Sequence, residues 1–105
     1  MDEQKLAKLI KNQCNDEDGF LIRLHSLGTF DEQQYQELIS NLEAYRKALG
    51  SSTKIDRNLA GCLFDLMIGL DNAVKKYSET HPEKSKIEAA QETVWLLIQE
   101  LLSSS

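Results

Sequence analysis

The chain has 105 residues, 41% hydrophobic and 28% charged, and its 17 Asp and Glu outweigh 12 Lys and Arg to give a net charge of -5. That is one domain over 1–105, large enough to bury a core without the disulfide or metal staples that become common below roughly 40 residues. The acidic balance disfavours a duplex nucleic-acid binder, which needs a basic stripe to displace counterions from phosphate, and no apolar run approaches the ~18 residues that span a bilayer.

With one Pro and five Gly and no strict apolar/polar alternation, the helical period has no competitor. The expected fold is all-α, a compact antiparallel bundle of four to five helices. The N-terminal Met-Asp-Glu-Gln-Lys is polar rather than signal-like, so the cytoplasm is the expected compartment. A first helix is expected from Glu3 to Gln13, with Leu6, Leu9 and Ile10 on one face. Asn15, Asp16, Glu17 and Asp18 offer acceptors for the start of a second helix, which carries Phe20, Leu24 and Leu27 and stops at Gly28. The third helix has the clearest start: Asp31 as cap with Gln34 three residues on, and Phe30 and Tyr35 at hydrophobic-staple spacing. Tyr35, Leu38, Ile39, Leu42, Tyr45 and Leu49 then keep one face apolar up to Gly50, a natural terminator.

After the polar turn Ser51-Ser52-Thr53-Lys54, Ile55-Asp56 repeats the apolar-then-cap arrangement and opens a fourth helix to about Tyr77. Its stripe is wide, running from Leu59, Cys62 and Leu63 to Leu70 and Val74, with Phe64 and Ile68 on a second side. Such a helix is expected at the centre of the fold, touching several neighbours. Its narrow polar sector holds Asn58, Gly61, Asp65, Gly69, Asn72 and Lys76, and the two glycines suggest that something approaches the backbone there. Ser78-Glu79-Thr80-His81-Pro82 breaks the chain, Pro82 suits a first helical position, and the last helix buries Ile87, Ala90, Val94, Leu97, Ile98 and Leu101 with Trp95 and Leu102 on its flank.

Catalytic and metal chemistry is not legible. His25 and His81 form neither HExxH nor a Glu-x-x-His pair, and no nucleotide-binding glycine loop or nucleophile elbow is present. Cys62 reads as core, and Cys14 as a boundary core position. No cofactor, metal or enzymatic activity is expected. Asp65 admits three readings: a marker of the solvent face, the floor of a shallow acidic groove with Gly61 and Gly69, or a buried partner of Arg46 or Arg57. The acidic runs Asp2-Glu3, Asp16-Glu17-Asp18 and Asp31-Glu32 fit helix starts, and with Glu37, Glu43, Glu83, Glu88 and Glu92 they would leave one end or face negative. Such a field speeds capture of a basic protein.

Gly19-Phe20-Leu21, the Phe30-Asp31 start with its Tyr-x-x-Leu-Ile run, Leu63-Phe64-Asp65-Leu66 and Val94-Trp95-Leu96-Leu97-Ile98 together resemble small helical bacterial immunity proteins, more narrowly the immunity partners of contact-dependent growth inhibition toxins. The resemblance implies a cytosolic antidote that binds a toxic domain, commonly a nuclease, and blocks its active site. It transfers no site residues, so the interface is read from charge. Asp16, Glu17, Asp18, Asp65 and Asn72 are the candidate contacts, standing in for nucleic-acid phosphates, with Tyr45 or Trp95 as anchor unless these two belong to the core. The competing reading is a helical adaptor or self-associating bundle, with Phe64, Ile68 and Leu96 as a dimer seam.

Overall fold

The computed structural model describes residues 2–27, 30–50, 55, 57–76 and 82–103. Five helices occupy them: α1 (Glu3–Asn15), α2 (Phe20–Leu27), α3 (Glu32–Leu49), α4 (Arg57–Lys76) and α5 (Lys84–Ser103). The all-α bundle expected from periodicity is the observed architecture. Gly28, the 51–54 turn, Asp56, Tyr77, the 78–81 break and the side chains of Leu27 and Leu102 lie outside the described residues.

Two of the three acidic runs act as caps. The Asp2 carboxylate accepts from the Lys5 backbone N–H at 2.8 Å, and that of Asp31 accepts from Gln34 N–H at 3.0 Å, each satisfying an amide that has no partner inside its helix. Asp31 also pairs with Arg23 of α2 at 3.2 Å, so one side chain both starts α3 and ties it to its predecessor. Beside it, the rings of Phe20, Phe30 and Tyr35 meet at centroid separations of 5.3 to 5.9 Å, a range in which aromatic pairs add about 0.5–1.5 kcal/mol beyond their burial. Gly50 ends α3 with a φ of 56°, which suits a residue without Cβ.

The third acidic run behaves differently. Gly19, not a carboxylate, stands at the start of α2: its carbonyl accepts from Arg23 N–H, while its own N–H donates to the Asp16 carbonyl at 2.9 Å. The turn is so tight that a Cβ on Gly19 would sit 2.7 Å from the Asn12 carbonyl oxygen and 2.8 Å from that of Gln13. Pro82 also departs from expectation. It lies in a turn ahead of α5, and the Glu83 carbonyl takes the first helical bond, from Ile87 N–H at 3.0 Å.

The long helices form a ring in which α1 packs on α3 and α4, and α5 packs on the same two from the other side. The diagonals α1–α5 and α3–α4 do not pack together, and α2 covers one region of the ring by touching α1, α3 and α4. The core runs through the centre: Leu6 and Ile10, Phe20 and Leu24, Leu38 and Leu42, Leu59, Leu63, Leu66 and Leu70, and Ile87, Val94 and Ile98 are all buried. Leu9, expected in that core, is 37% exposed because α1 turns its Leu6, Ala7, Ile10 and Cys14 face inward instead. Leu97 is half-buried. Between α3 and α5, Arg46 pairs with Glu100, and burial raises the Tyr35 phenol above its ordinary value while its side-chain hydrogen bond with Thr93 opposes that rise.

α4 is therefore one corner of a ring and not its centre, although it touches several neighbours as expected, namely α1, α2 and α5. Its two internal glycines also differ. A Cβ on Gly69 would meet the Leu21 side chain at 2.5 Å, the close approach that was expected, whereas Gly61 has nothing within 4 Å. Gly61→Ala should raise the unfolding free energy by about 0.5–1 kcal/mol, because only backbone entropy changes. Gly19→Ala should lower it by more than about 1 kcal/mol, since the clash is with backbone that cannot move aside. Urea denaturation of the two variants checks both signs, and equal effects would contradict the assigned environments.

Candidate functional site

α4 and α5 carry matching outward stripes. On α4, Phe64, Ile68 and Asp71 recur at i, i+4 and i+7; on α5, Glu88, Glu92 and Trp95 do the same. Placed side by side, the stripes wall a groove of about 900 Å³ floored by Met67, Leu70, Val74 and Val94. The apolar side chains at its mouth are uncovered: Phe64 is 64% exposed, Ile68 47% and Trp95 44%. Leu96, 53% exposed, projects from the same helix. Large exposed apolar residues gathered at one groove, with carboxylates around it, are the usual form of a binding surface on a protein otherwise covered by polar groups.

The carboxylates have distinct settings. Asp71 accepts from Lys75 at 3.0 Å, one turn on, and from Gln91 Nε2 of α5 at 3.2 Å, a bond that ties the two walls together. The hydrogen bond with Lys75, then that with Gln91, holds the Asp71 carboxyl below its ordinary value, so it stays charged further into acid. Glu88 and Glu92 on the opposite wall are exposed, and neither shares an ion pair with a described residue.

The residues expected from charge are distributed over the molecule instead of meeting at one place. Asp16, Glu17 and Asp18 are exposed in the α1–α2 turn, where Asp16 and Asp18 join Leu9 and Glu37 around a small cleft of about 200 Å³ between α1 and α3. In the ring order, the α1–α3 side lies opposite the α4–α5 side, so this cleft and the groove face away from each other. Asp65 and Asn72 are exposed on α4, about 10 Å apart along its axis. Asp65 thus marks the solvent face and is not buried with an arginine; Arg46 pairs with Glu100 instead. Tyr45 is 2% exposed and belongs to the core in register with Leu38, Leu42 and Leu49, which removes it as an anchor for a partner. Trp95 stands at the groove. The wall residues Asp71, Glu88 and Glu92 were not among the contacts expected, although their spacing to Ile68 and Trp95 carries the signal.

No group of His, Cys, Asp and Glu among the described residues is arranged to hold a metal ion, and no helix there is long and apolar enough to cross a membrane. His25 is exposed, and His81 lies outside the described residues. No protein-family model, curated protein or solved structure matches this chain.

Both cysteines are buried and unbridged, with Asn15 Nδ2 donating to Cys62 Sγ at 3.5 Å. Burial first, then the neighbouring Cys62 and Asp65, pushes the Cys14 thiol up to about 12. The native state keeps a proton that the unfolded chain releases near 9, so this contribution to stability is complete below that pH and is lost as pH rises toward 12. At pH 8 a thiol reagent should label the native protein at least about tenfold more slowly than the denatured one, because thiolate and access are both lacking. Prompt labelling of the native protein would contradict the buried setting.

Proposed function

We propose that the chain is an immunity protein: it binds a cognate toxin domain, a basic nuclease, in the cytoplasm and occludes its active site, acting by binding and not by catalysis. The mechanism needs carboxylates where a nuclease holds phosphates, beside an apolar anchor that supplies buried contact. The single observation that supports it is the α4–α5 groove, where Phe64, Ile68 and Trp95 are exposed next to Asp71, Glu88 and Glu92. Aromatic side chains framed by polar groups are what binding hot spots are made of. The acidic turn Asp16-Glu17-Asp18, on the other side of the bundle, then acts through its field, raising the rate of encounter with a basic partner without being the contact itself. This chain touches the toxin and not its nucleic-acid substrate.

A self-associating bundle is the second reading, supported by the simultaneous exposure of Phe64, Ile68 and Leu96. Light scattering separates the two, since self-association makes the mass rise with concentration.

The test is growth of a bacterium carrying an inducible copy of the toxic C-terminal region encoded immediately upstream, with and without this chain. Rescue of growth and a stable one-to-one complex are expected. Phe64→Ser with Ile68→Ser should abolish rescue at unchanged helical content. The triple reversal of Asp16, Glu17 and Asp18 to Lys should slow association at low salt, by roughly tenfold, and leave dissociation nearly unchanged. A toxic region that this chain does not neutralise overturns the proposal.

A further inference from the structure

We infer that the α4–α5 groove receives one amphipathic, cationic α-helix of the partner; this deepens the proposed function and rests on it only for the partner's identity. The groove has the dimensions of such an occupant. From Phe64 to Val74 it follows about 15 Å of helix axis, close to three turns of an incoming helix. Its walls are themselves helices, whose side-chain ridges accept a third helix by interdigitation, and the described residues contain no strand edge to which an extended peptide could add.

Charge sets the chemistry of that helix. The α5 wall presents Glu88 and Glu92 with no ion pair to a described residue, and the α4 wall presents Asp71, whose neighbour Lys75 is already committed to it. An incoming helix with an apolar stripe for Phe64, Ile68 and Trp95, flanked by Lys or Arg, satisfies both the floor and the rim. A second copy of this chain does not. A two-fold interface sets the same patch against itself, so a groove rim carrying Asp71, Glu88 and Glu92 would meet a second acidic rim in a chain of net charge -5.

Trp95 is the single tryptophan, so its fluorescence reports directly on the groove of the intact protein. The probes are a tryptophan-free helical peptide of about five turns, with Leu at i, i+3, i+4 and i+7 flanked by Lys, and its twin with every Lys replaced by Glu. The Lys peptide should give a saturable blue shift of Trp95 emission, with binding at least about tenfold tighter than the Glu twin and a severalfold loss in high salt. The double variant Glu88→Lys/Glu92→Lys, altered only at exposed positions, should reverse that preference. No shift, an equal shift with both peptides, or an unchanged preference in the double variant overturns the inference. A blue shift that grows with protein concentration alone also overturns it, by placing a second copy in the groove. Growth rescue with no peptide response removes the cationic helix but keeps immunity, whereas a selective peptide response without rescue keeps the groove's occupant and removes the toxin.

Discussion

In a ring of four helices each member is covered from two directions, and the ring tolerates an apolar sector only as wide as those two contacts. α4 exceeds that allowance. Its inward residues Leu59, Leu63, Leu66 and Leu70 are fully buried against α1, α2 and α5, and this packing holds the ring together. Phe64 and Ile68 point away from that inward face and are only partly covered, at the groove shared with α5. The exposed strip follows from the conflict between a helix apolar over most of its circumference and neighbours α1, α2 and α5 that cover only part of that circumference. Exposing such side chains to water costs solubility and gains nothing in folding, which is what the binding role proposed for this face would explain.

The legible parts of the fold are those set by short-range chemistry. α3 was readable end to end because Asp31, Gln34, the Phe30–Tyr35 staple and Gly50 each act within a few residues of the element they define, and the structure shows the cap, the ring contact and the positive φ. What was not readable depends on the order of helices around the ring. Periodicity does separate Cys62 and Leu66, on the inward face, from Phe64 and Ile68 on a second side, but whether a neighbour covers that second side is decided by the order of helices around the ring. The same holds for Leu9, which a rotation of α1 moves to the rim, and for Gly61, whose neighbourhood is empty although its sequence setting resembles that of Gly69. Trp95 and Tyr45 show the finer limit. Tyr45 is in step with Leu38, Leu42 and Leu49, whereas Trp95 is one residue past Val94 and so turned about 100° from the core stripe, enough to place it in the open.

Charge is divided in the same way. Asp2 and Asp31 are consumed by helix capping, Asp31 additionally by Arg23, and Asp71 by Lys75 and Gln91. A partner that engages Asp71 must compensate the bonds to Lys75 and Gln91 that it displaces, so Glu88 and Glu92 are the less encumbered carboxylates of the groove. Glu88 and Glu92 share no ion pair with a described residue, and the exposed Asp16–Asp18 turn lies on the opposite side of the ring; under the proposed function the first would serve contact and the second long-range attraction. Both thiols are buried and unbridged and take no part in this division.

Under the proposed function Phe64 and Ile68 contribute to binding and not to folding. The most direct measurement is equilibrium unfolding of the Phe64→Ser/Ile68→Ser double variant beside the parent, both kept as monomers. Unfolding free energies equal to within about 0.5 kcal/mol are expected, as for surface substitutions. A loss of several kcal/mol, the range of large-to-small changes in a packed core, would contradict that role by showing that the fold itself depends on this face.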